Sequence, residues 1–489
     1  MPEATGAAGR DIAALIETGC RLAQRGLFAE AVAPLQRAVD LGPDQPSSLA
    51  QLGWVCQQRG DFAAAIENYR RALALDPQWA PARRGLMTAL VALDRAEESV
   101  PLWRDELQRP GGSEWIDEHI AQSLRRRDLT YAGRCAELSA RLRWGSRWYA
   151  AADAAAPPAR SPNPLLSVAK LRHDVEQFRH LMQASVLGAE FEAVCADYER
   201  VGADLAARGI GGQVAMDEEA EARIGAIYNL LVHVRTTPRL DRALASEWDP
   251  AVVERNYIER PPGVVVIDDF LAPAALAELR AFCLESTVWS ANRYAHGRLG
   301  AFFRDGFNCP LLLQIAEELR AALPRVIGER YPLRQLWGFK NDRTLPADAN
   351  THADFAAVNV NFWITPDSAN ADPASGGMVI YEVDAPLDWD FYTYNGRSDL
   401  IHAYLRERDA RRVRIPYRAN RAVIFNSDLF HATEAVQFNP GYAQRRINVT
   451  MLYGQREGDV HHRAAVQGAP LQRSDAWRSA AFGRARSRA

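Results

Sequence analysis

His352, Ala353 and Asp354 set an imidazole and a carboxylate two positions apart. The triplet stands at the mouth of the strand predicted at 358–364. A second imidazole, His431, follows a predicted strand at 421–425 and the polar turn Asn426-Ser427-Asp428. Two histidines and one carboxylate on neighbouring strands can occupy one face of an octahedral Fe(II), leaving three positions open for oxygen and an organic co-substrate. His352, Asp354 and His431 are therefore the candidate metal ligands and the candidate catalytic centre. With ten histidines in 489 residues a chance His-x-Asp is common. The weight rests on strand context and on the order of the elements.

The stretch RINVTMLY, residues 446–453, reads as a late strand. Its alternation puts Arg446, Asn448 and Thr450 on one face and Arg445, Ile447, Val449 and Met451 on the other. The first set is polar and suits a ligand cavity. On the strand predicted at 358–364, Asn359, Asn361 and Trp363 share a face, and Gly376-Gly377-Met378 opens the strand predicted at 377–383.

In that order, His352-x-Asp354, His431 and a later basic residue make residues 263–454 resemble the 2-oxoglutarate and Fe(II)-dependent oxygenases, whose domain is a double-stranded β-helix. The resemblance implies Fe(II), 2-oxoglutarate and O2, with ascorbate as an accessory reductant. It implies hydroxylation of a C–H bond coupled to release of succinate and carbon dioxide. In the family the far carboxylate of 2-oxoglutarate pairs with the late basic residue. Arg446 is the candidate, since a guanidinium holds a carboxylate bidentately; Arg445 is its rival, and Lys340, on the strand predicted at 335–340, a lesser alternative. Asn448, Asn361 and Asn359 are candidate hydrogen-bond partners of the co-substrate, and the double glycine resembles the family's turn before a strand. The pattern R-x-N-x-T also resembles the alkylation-repair demethylases, but their further arginine is Leu452 here. Related halogenases lack the carboxylate that Asp354 supplies, which argues against halogenation.

The elements that must position these groups change period along the chain. From VVVIDDFL at residue 264 onward, short apolar strands separated by Pro, Gly, Asn and Asp predict a jelly roll rather than alternating βαβ units. Upstream the pattern is helical and repeats every 34 residues, with Ile12 and Pro46 as matching starts. Gly53, Gly60, Phe62, Ala65, Tyr69 and Ala72 of one copy answer Gly19, Gly26, Phe28, Ala31, Leu35 and Ala38 of the other; a third, from near Ala80, keeps Leu86 and Trp103. These residues resemble the tetratricopeptide repeat. Each hairpin must stack on its neighbours to bury its apolar face, which leaves a groove suited to a peptide or helix. Repeats fused to an oxygenase resemble some prolyl and aspartyl protein hydroxylases, so a protein or peptide substrate recruited by the groove is the first expectation. A small-molecule, biosynthetic oxygenase whose repeats dock a partner protein is the alternative, and a catalytically silent binding module the third reading.

A length of 489 residues predicts about three domains. We expect a flexible N-terminus at 1–11, three repeats at 12–113, a helical connector at 114–237 with a proline-rich linker at 151–164, the multidomain chain's oxygenase domain at 238–456 and a basic, disordered tail at 457–489. His173 and His180 stand seven apart on the connector, too far for a metal pair on one helix, and read as packing or surface residues. A net charge of -3 excludes a general nucleic-acid binder, the basic tail apart. Of 58 basic residues only Lys170 and Lys340 are lysines, which leaves 56 arginines. Six cysteines without a C-x-x-C pair suggest free thiols. With no secretory start and no long apolar run, a cytoplasmic protein without membrane contact is expected.

Overall fold

The computed structural model describes residues 2–149, 163–347 and 350–456. Most of the linker expected at 151–164 and all of the tail expected at 457–489 lie outside the described residues. The chain divides after His119 into two compact units, where length alone suggested three domains.

The first unit is a run of helical hairpins: α1 (Pro2–Gln24), α2 (Phe28–Leu41), α3 (Pro46–Gln58), α4 (Phe62–Leu75), α5 (Ala80–Ala92) and α6 (Ala96–Gln108). The repeat has a steric basis. A Cβ on Gly19 would stand 2.5 Å from Leu35, and one on Gly53 would stand 2.9 Å from Tyr69. Both pairs sit at the same offsets, 34 residues apart, so a missing side chain lets each pair of helices close. In the third copy Met87 and Trp103 take these offsets, both buried. The turns repeat too: Gly26, Gly60 and Asp94 hold φ of 77°, 80° and 61°, the left-handed region that ends a helix. The flexible segment expected at 1–11 is instead helical backbone from Pro2, as proline in a first turn followed by glutamate and alanine favours.

The hairpin pattern does not stop at residue 113. Helices α7 (Gly112–Arg125) and α8 (Leu129–Trp144) follow at nearly the repeat length, and Asp128 caps α8 through the Tyr131 amide at 3.2 Å. From Ile120 onward the expected connector belongs to the second unit. There α9 (Val168–Gln183), α10 (Phe191–Ala207) and α11 (Glu218–Ile224) share a core of Phe178, Phe191, Tyr198 and Tyr228. Gln177 ties α9 to the carbonyls of Leu284 and Ser286 at 3.2 and 2.9 Å.

After α12 (Pro250–Glu259) come the strands of the two larger sheets: β1 (Val264–Ile267), β2 (Leu299–Phe302), β3 (Leu333–Lys340), β4 (Val358–Trp363), β5 (Met378–Asp384), β6 (Arg412–Ile415), β7 (Ala422–Asn426), β8 (Leu429–Thr433) and β9 (Ile447–Tyr453). They form a six-stranded antiparallel sheet, β1-β7-β4-β9-β3-β2, and a three-stranded one, β8-β5-β6. The jelly-roll expectation holds. Trp363, Met378, Ile380, Val423, Phe425 and Phe438 belong to one core cluster drawn from both sheets. On the outer face of the large sheet lie α13 (Pro273–Glu285) and α14 (Pro310–Ala322). Tyr453 there donates to Ala316 O at 3.1 Å. Helices α15 (Phe391–Gly396) and α16 (Ser398–Glu407), which sequence periodicity did not reveal, bury Tyr394, Ile401 and Leu405 with Phe430 and Val379 of the small sheet. Among the described residues no helix is long and apolar enough to cross a membrane.

Candidate metal centre

His352 and His431 face each other across two backbone hydrogen bonds, His352 N to His431 O at 3.0 Å and the reverse at 2.8 Å. The segment before β4 thus adds to the edge of β8 as an antiparallel bridge. Directly opposed residues stand close, and the two imidazole centroids are 4.4 Å apart. The register of β8 shifts between Leu429 and His431, an irregularity of the kind that re-aims a side chain at a site. Asp354, two residues past His352, comes to the same side. Its Oδ1 is 3.7 Å from His352 Nε2 and its Oδ2 is 3.5 Å from His431 Nε2. One ligand atom from each residue lies within 4.8 Å of the others.

The donor set fits a divalent iron. His352 Nδ1 lies 2.7 Å from Asn350 O, and His431 Nδ1 lies 3.0 Å from Leu429 O. A carbonyl only accepts, so both Nδ1 atoms carry the proton and both Nε2 lone pairs face Asp354; fixing the tautomer through the far nitrogen is what a metal-binding histidine requires. Burial, followed by His431 alongside, pushes the His352 pKa down to about 4, so the ring is neutral at ordinary pH. Burial pushes the Asp354 carboxyl up, but the neighbouring His431 and His352 and the Asn359 amide outweigh this and leave it below the usual value. A neutral His352 beside an ionised Asp354 is in the protonation state that binds metal.

From Asp354 a chain of polar side chains runs across the concave face of the large sheet. Asn359 Nδ2 donates to Asp354 Oδ2 at 2.6 Å, Asn361 Nδ2 donates to Asn359 Oδ1, and Thr450 Oγ1 donates to Asn361 Oδ1 at 2.6 Å. Asn448 Nδ2 is 3.4 Å from the same oxygen, and Arg446 Nη1 donates to Asn448 Oδ1 at 3.1 Å. Arg446 Nε donates to Gly376 O at 2.6 Å, while Trp363 and Tyr417 stack 5.5 and 5.9 Å from its Cζ. Arg446 is 2 % exposed and has no carboxylate partner among the described residues. Burial pulls its pKa down to about 10, against Tyr417. A buried unpaired charge costs several kcal/mol, and an anion in the pocket would offset that cost. Arg445 points the other way and is already paired, with Glu176 at 2.9 Å and Asp342 at 3.2 Å.

The predicted residues fall into three groups. His352, Asp354, His431, Asn361, Arg446 and Asn448 line one inner pocket. Asn359 does not line it, and its amide donates to Asp354 instead. Lys340 is on the opposite face. Register pairs Phe339 with Asn448 and Lys340 with Ile447, so parity sends the ammonium outward to Cys283 O at 3.0 Å and the Tyr442 hydroxyl at 2.8 Å. It neither anchors the co-substrate nor snorkels to solvent. His173 is buried with Nδ1 2.9 Å from Asp174, a packing residue. Sequence reasoning missed Thr433 and Met378, which line the same pocket, and Arg298. The first two follow from the register of β8 with β5, where Thr433 pairs with Met378. Arg298, in a turn before an unpredicted strand, had no pattern to single it out among 56 arginines.

Similarity to known proteins covers parts of the chain. The tetratricopeptide-repeat family model matches residues 46–78. No curated protein matches the chain. Among solved structures, the non-heme alpha-ketoglutarate-dependent carbocyclase SnoK from nogalamycin biosynthesis is 13% identical, covering 48% of this chain and 98% of its own, with a TM-score of 0.30. The epimerase SnoN in complex with Fe3+, alpha-ketoglutarate and nogalamycin RO is 16% identical over 47% of this chain and 94% of its own, TM-score 0.31. A point mutant of MamA is 23% identical over 20% of this chain and 74% of its own, TM-score 0.19.

Proposed function

We propose that the chain is an Fe(II)- and 2-oxoglutarate-dependent dioxygenase that hydroxylates a C–H bond. The observation that carries this reading is the triad whose two Nδ1–H groups are tied to backbone carbonyls, joined by an unbroken amide chain to a buried, unpaired arginine. His352, Asp354 and His431 would hold the metal. When bound, iron with 2-oxoglutarate and oxygen supplies the oxidation of the C–H bond, with succinate and carbon dioxide as co-products. Arg446 receives the far carboxylate of 2-oxoglutarate, and Gly376 O and Asn448 Oδ1 fix the plane of its guanidinium. Asn361, Asn448 and Thr450 line the pocket between anchor and metal. Trp363 and Met378 close it with apolar surface and keep water from the carboxylate's partner.

A larger cavity of about 490 Å³ opens on the other side of His352 and Asp354, within the range of roughly 300–1,000 Å³ in which proteins enclose small molecules. That favours the small-molecule alternative over a polypeptide presented by the repeats, whose role is then to dock a protein partner. The test is an anaerobic titration of the purified chain with Fe(II) and 2-oxoglutarate. A weak visible charge-transfer band is expected, with succinate released when air is admitted. An iron-loaded wild-type protein giving neither would sink the oxygenase reading.

A further inference from the structure

Three residues are common to the inner pocket and the outer cavity: the ligands His352 and Asp354, and Arg298. Arg298 follows Gly297, whose φ is 70°, and begins the turn into β2. Its guanidinium lies over the aromatic wall, with Cζ 3.8 Å from the Phe339 centroid and 5.6 Å from that of Tyr294. Its Nε is buried and has no hydrogen-bond partner. Among the described residues no carboxylate forms an ion pair with it. A cation–π contact offsets only part of the cost of burying a charge that arginine cannot shed. The site asks for an anion.

The co-substrate does not supply it. Of the two carboxylates of 2-oxoglutarate, one belongs at the metal and the other at Arg446, on the far side of the triad. Arg298 lines both the inner pocket and the outer cavity, so its free face is open to a ligand that enters from the outer cavity. The wall of that cavity is a continuous run of rings: Tyr294 on Phe339 at 5.1 Å, Phe302 on Trp337 at 6.1 Å, Trp337 on Phe355 at 6.4 Å and Phe355 on Phe391 at 6.2 Å. Register explains half of it, since Phe302 pairs with Trp337 and Gly300 with Phe339 across β2 and β3. Six of the lining residues are arginines and two are aspartates, one of them the metal ligand Asp354. Arg293 adds a second cation without a carboxylate partner among the described residues, its Nη2 donating to the Tyr294 hydroxyl at 3.1 Å.

We propose that the outer cavity takes a small anionic substrate with a planar apolar body, whose carboxylate or phosphate is received by Arg298 beside the metal. The body stacks on the ring wall, and the anion fixes which of its C–H bonds lies nearest the triad. This rests on the oxygenase reading above for its chemistry, but not for its binding.

The test uses the full chain with Mn(II) and saturating N-oxalylglycine, so that the inner pocket is filled, and calorimetric titration with 2-naphthoate, 2-naphthyl phosphate and the neutral 2-naphthamide. Wild type is expected to bind one of the anions about tenfold or more tightly than the amide, and the better anion identifies the group. Arg298→Met is expected to erase that preference, with amide and N-oxalylglycine affinities held within about threefold; Arg298→Lys should restore part of it, which keeps the result from being one of misfolding. Equal binding of all three probes, or an unchanged preference in Arg298→Met, overturns the proposal. So does weakened N-oxalylglycine binding in Arg298→Met, which would assign the residue to the co-substrate, and so does selective binding of a blocked acidic tripeptide over every small probe. Repeating the series without metal separates the two readings. A chain that binds no N-oxalylglycine with Mn(II) but keeps the anion preference fails as an oxygenase and still supports the anion site.

Discussion

Adjacent arginines on one strand meet opposite fates, and the difference is electrostatic. Arg445 lies against Glu176 and Asp342, a completed ion-pair cluster that links the end of β9 to α9. Arg446 is turned inward by one residue and meets only a carbonyl, an amide and two rings. Arg446→Gln should therefore weaken 2-oxoglutarate binding by roughly 10- to 100-fold, the worth of a lost charge-assisted pair, while Fe(II) binding persists. Arg445→Ala should leave 2-oxoglutarate affinity within about threefold and lower stability by about 1–2 kcal/mol, since Glu176 and Asp342 are left facing each other partly exposed. Isothermal titration and thermal melts on both variants check this, and the reverse ordering would show the strand faces exchanged. This distinction was legible in sequence, because alternation along 446–453 needs no coordinates. The carbonyls of Asn350 and Leu429 that fix the two tautomers were not, because every residue has a carbonyl and only the bridge between His352 and His431 aims these two.

At the level of elements, the site depends on a turn that only glycine can make. Gly376 holds φ of 81° and offers its carbonyl to Arg446 Nε at 2.6 Å. At Gly377 a Cβ would fall on the Ile415 carbonyl of β6. Gly377→Ala must push β5 and β6 apart, so we expect a loss of about 1–3 kcal/mol and, because Gly376 moves with it, weaker 2-oxoglutarate binding at unchanged Arg446. A variant with wild-type melting and affinity would reduce the pair to an ordinary turn. The strands predicted at 335–340, 358–364 and 446–453 correspond to β3, β4 and β9, which lie inside the large sheet and read as apolar or aromatic runs. In the two larger sheets the strands that escaped prediction are β2, β6 and β8, all at sheet edges and each four or five residues long. RVRI of β6 alternates charge with apolar residues over too few positions to carry a period. Parity alone could not remove Lys340 from the site, because only the register of β3 with β9 sets it opposite Ile447 on the outer face.

Over the whole molecule, the excess of arginine has a counterpart in where the two lysines lie. Lys170 and Lys340 are 3 % and 1 % exposed, and both belong to the polar layer where α9 and α13 meet the outer face of the large sheet. Lys170 is clasped by Asp174; Lys340 sits over the rings of Trp289 and Tyr442 at 4.4 and 4.5 Å. Burial drives both amines below the ordinary lysine value, Lys340 well below it. An arginine could not fill either slot, since its fork is wider and keeps its charge whatever the cost; an ammonium fits a carbonyl, a hydroxyl or one carboxylate and can surrender its proton. A composition of 56 arginines and two lysines thus leaves lysine where compactness and a removable charge are needed. The consequence is measurable across the whole chain. In the native protein an amine-reactive ester should acylate neither Lys170 nor Lys340, and denaturation should expose both, seen by mass spectrometry as two added groups on the peptides containing them. Acylation of either lysine in the folded chain at the rate of an exposed amine would mean that the layer between α9, α13 and the sheet opens freely, and that the closed packing behind the metal centre is not what holds the large sheet in shape.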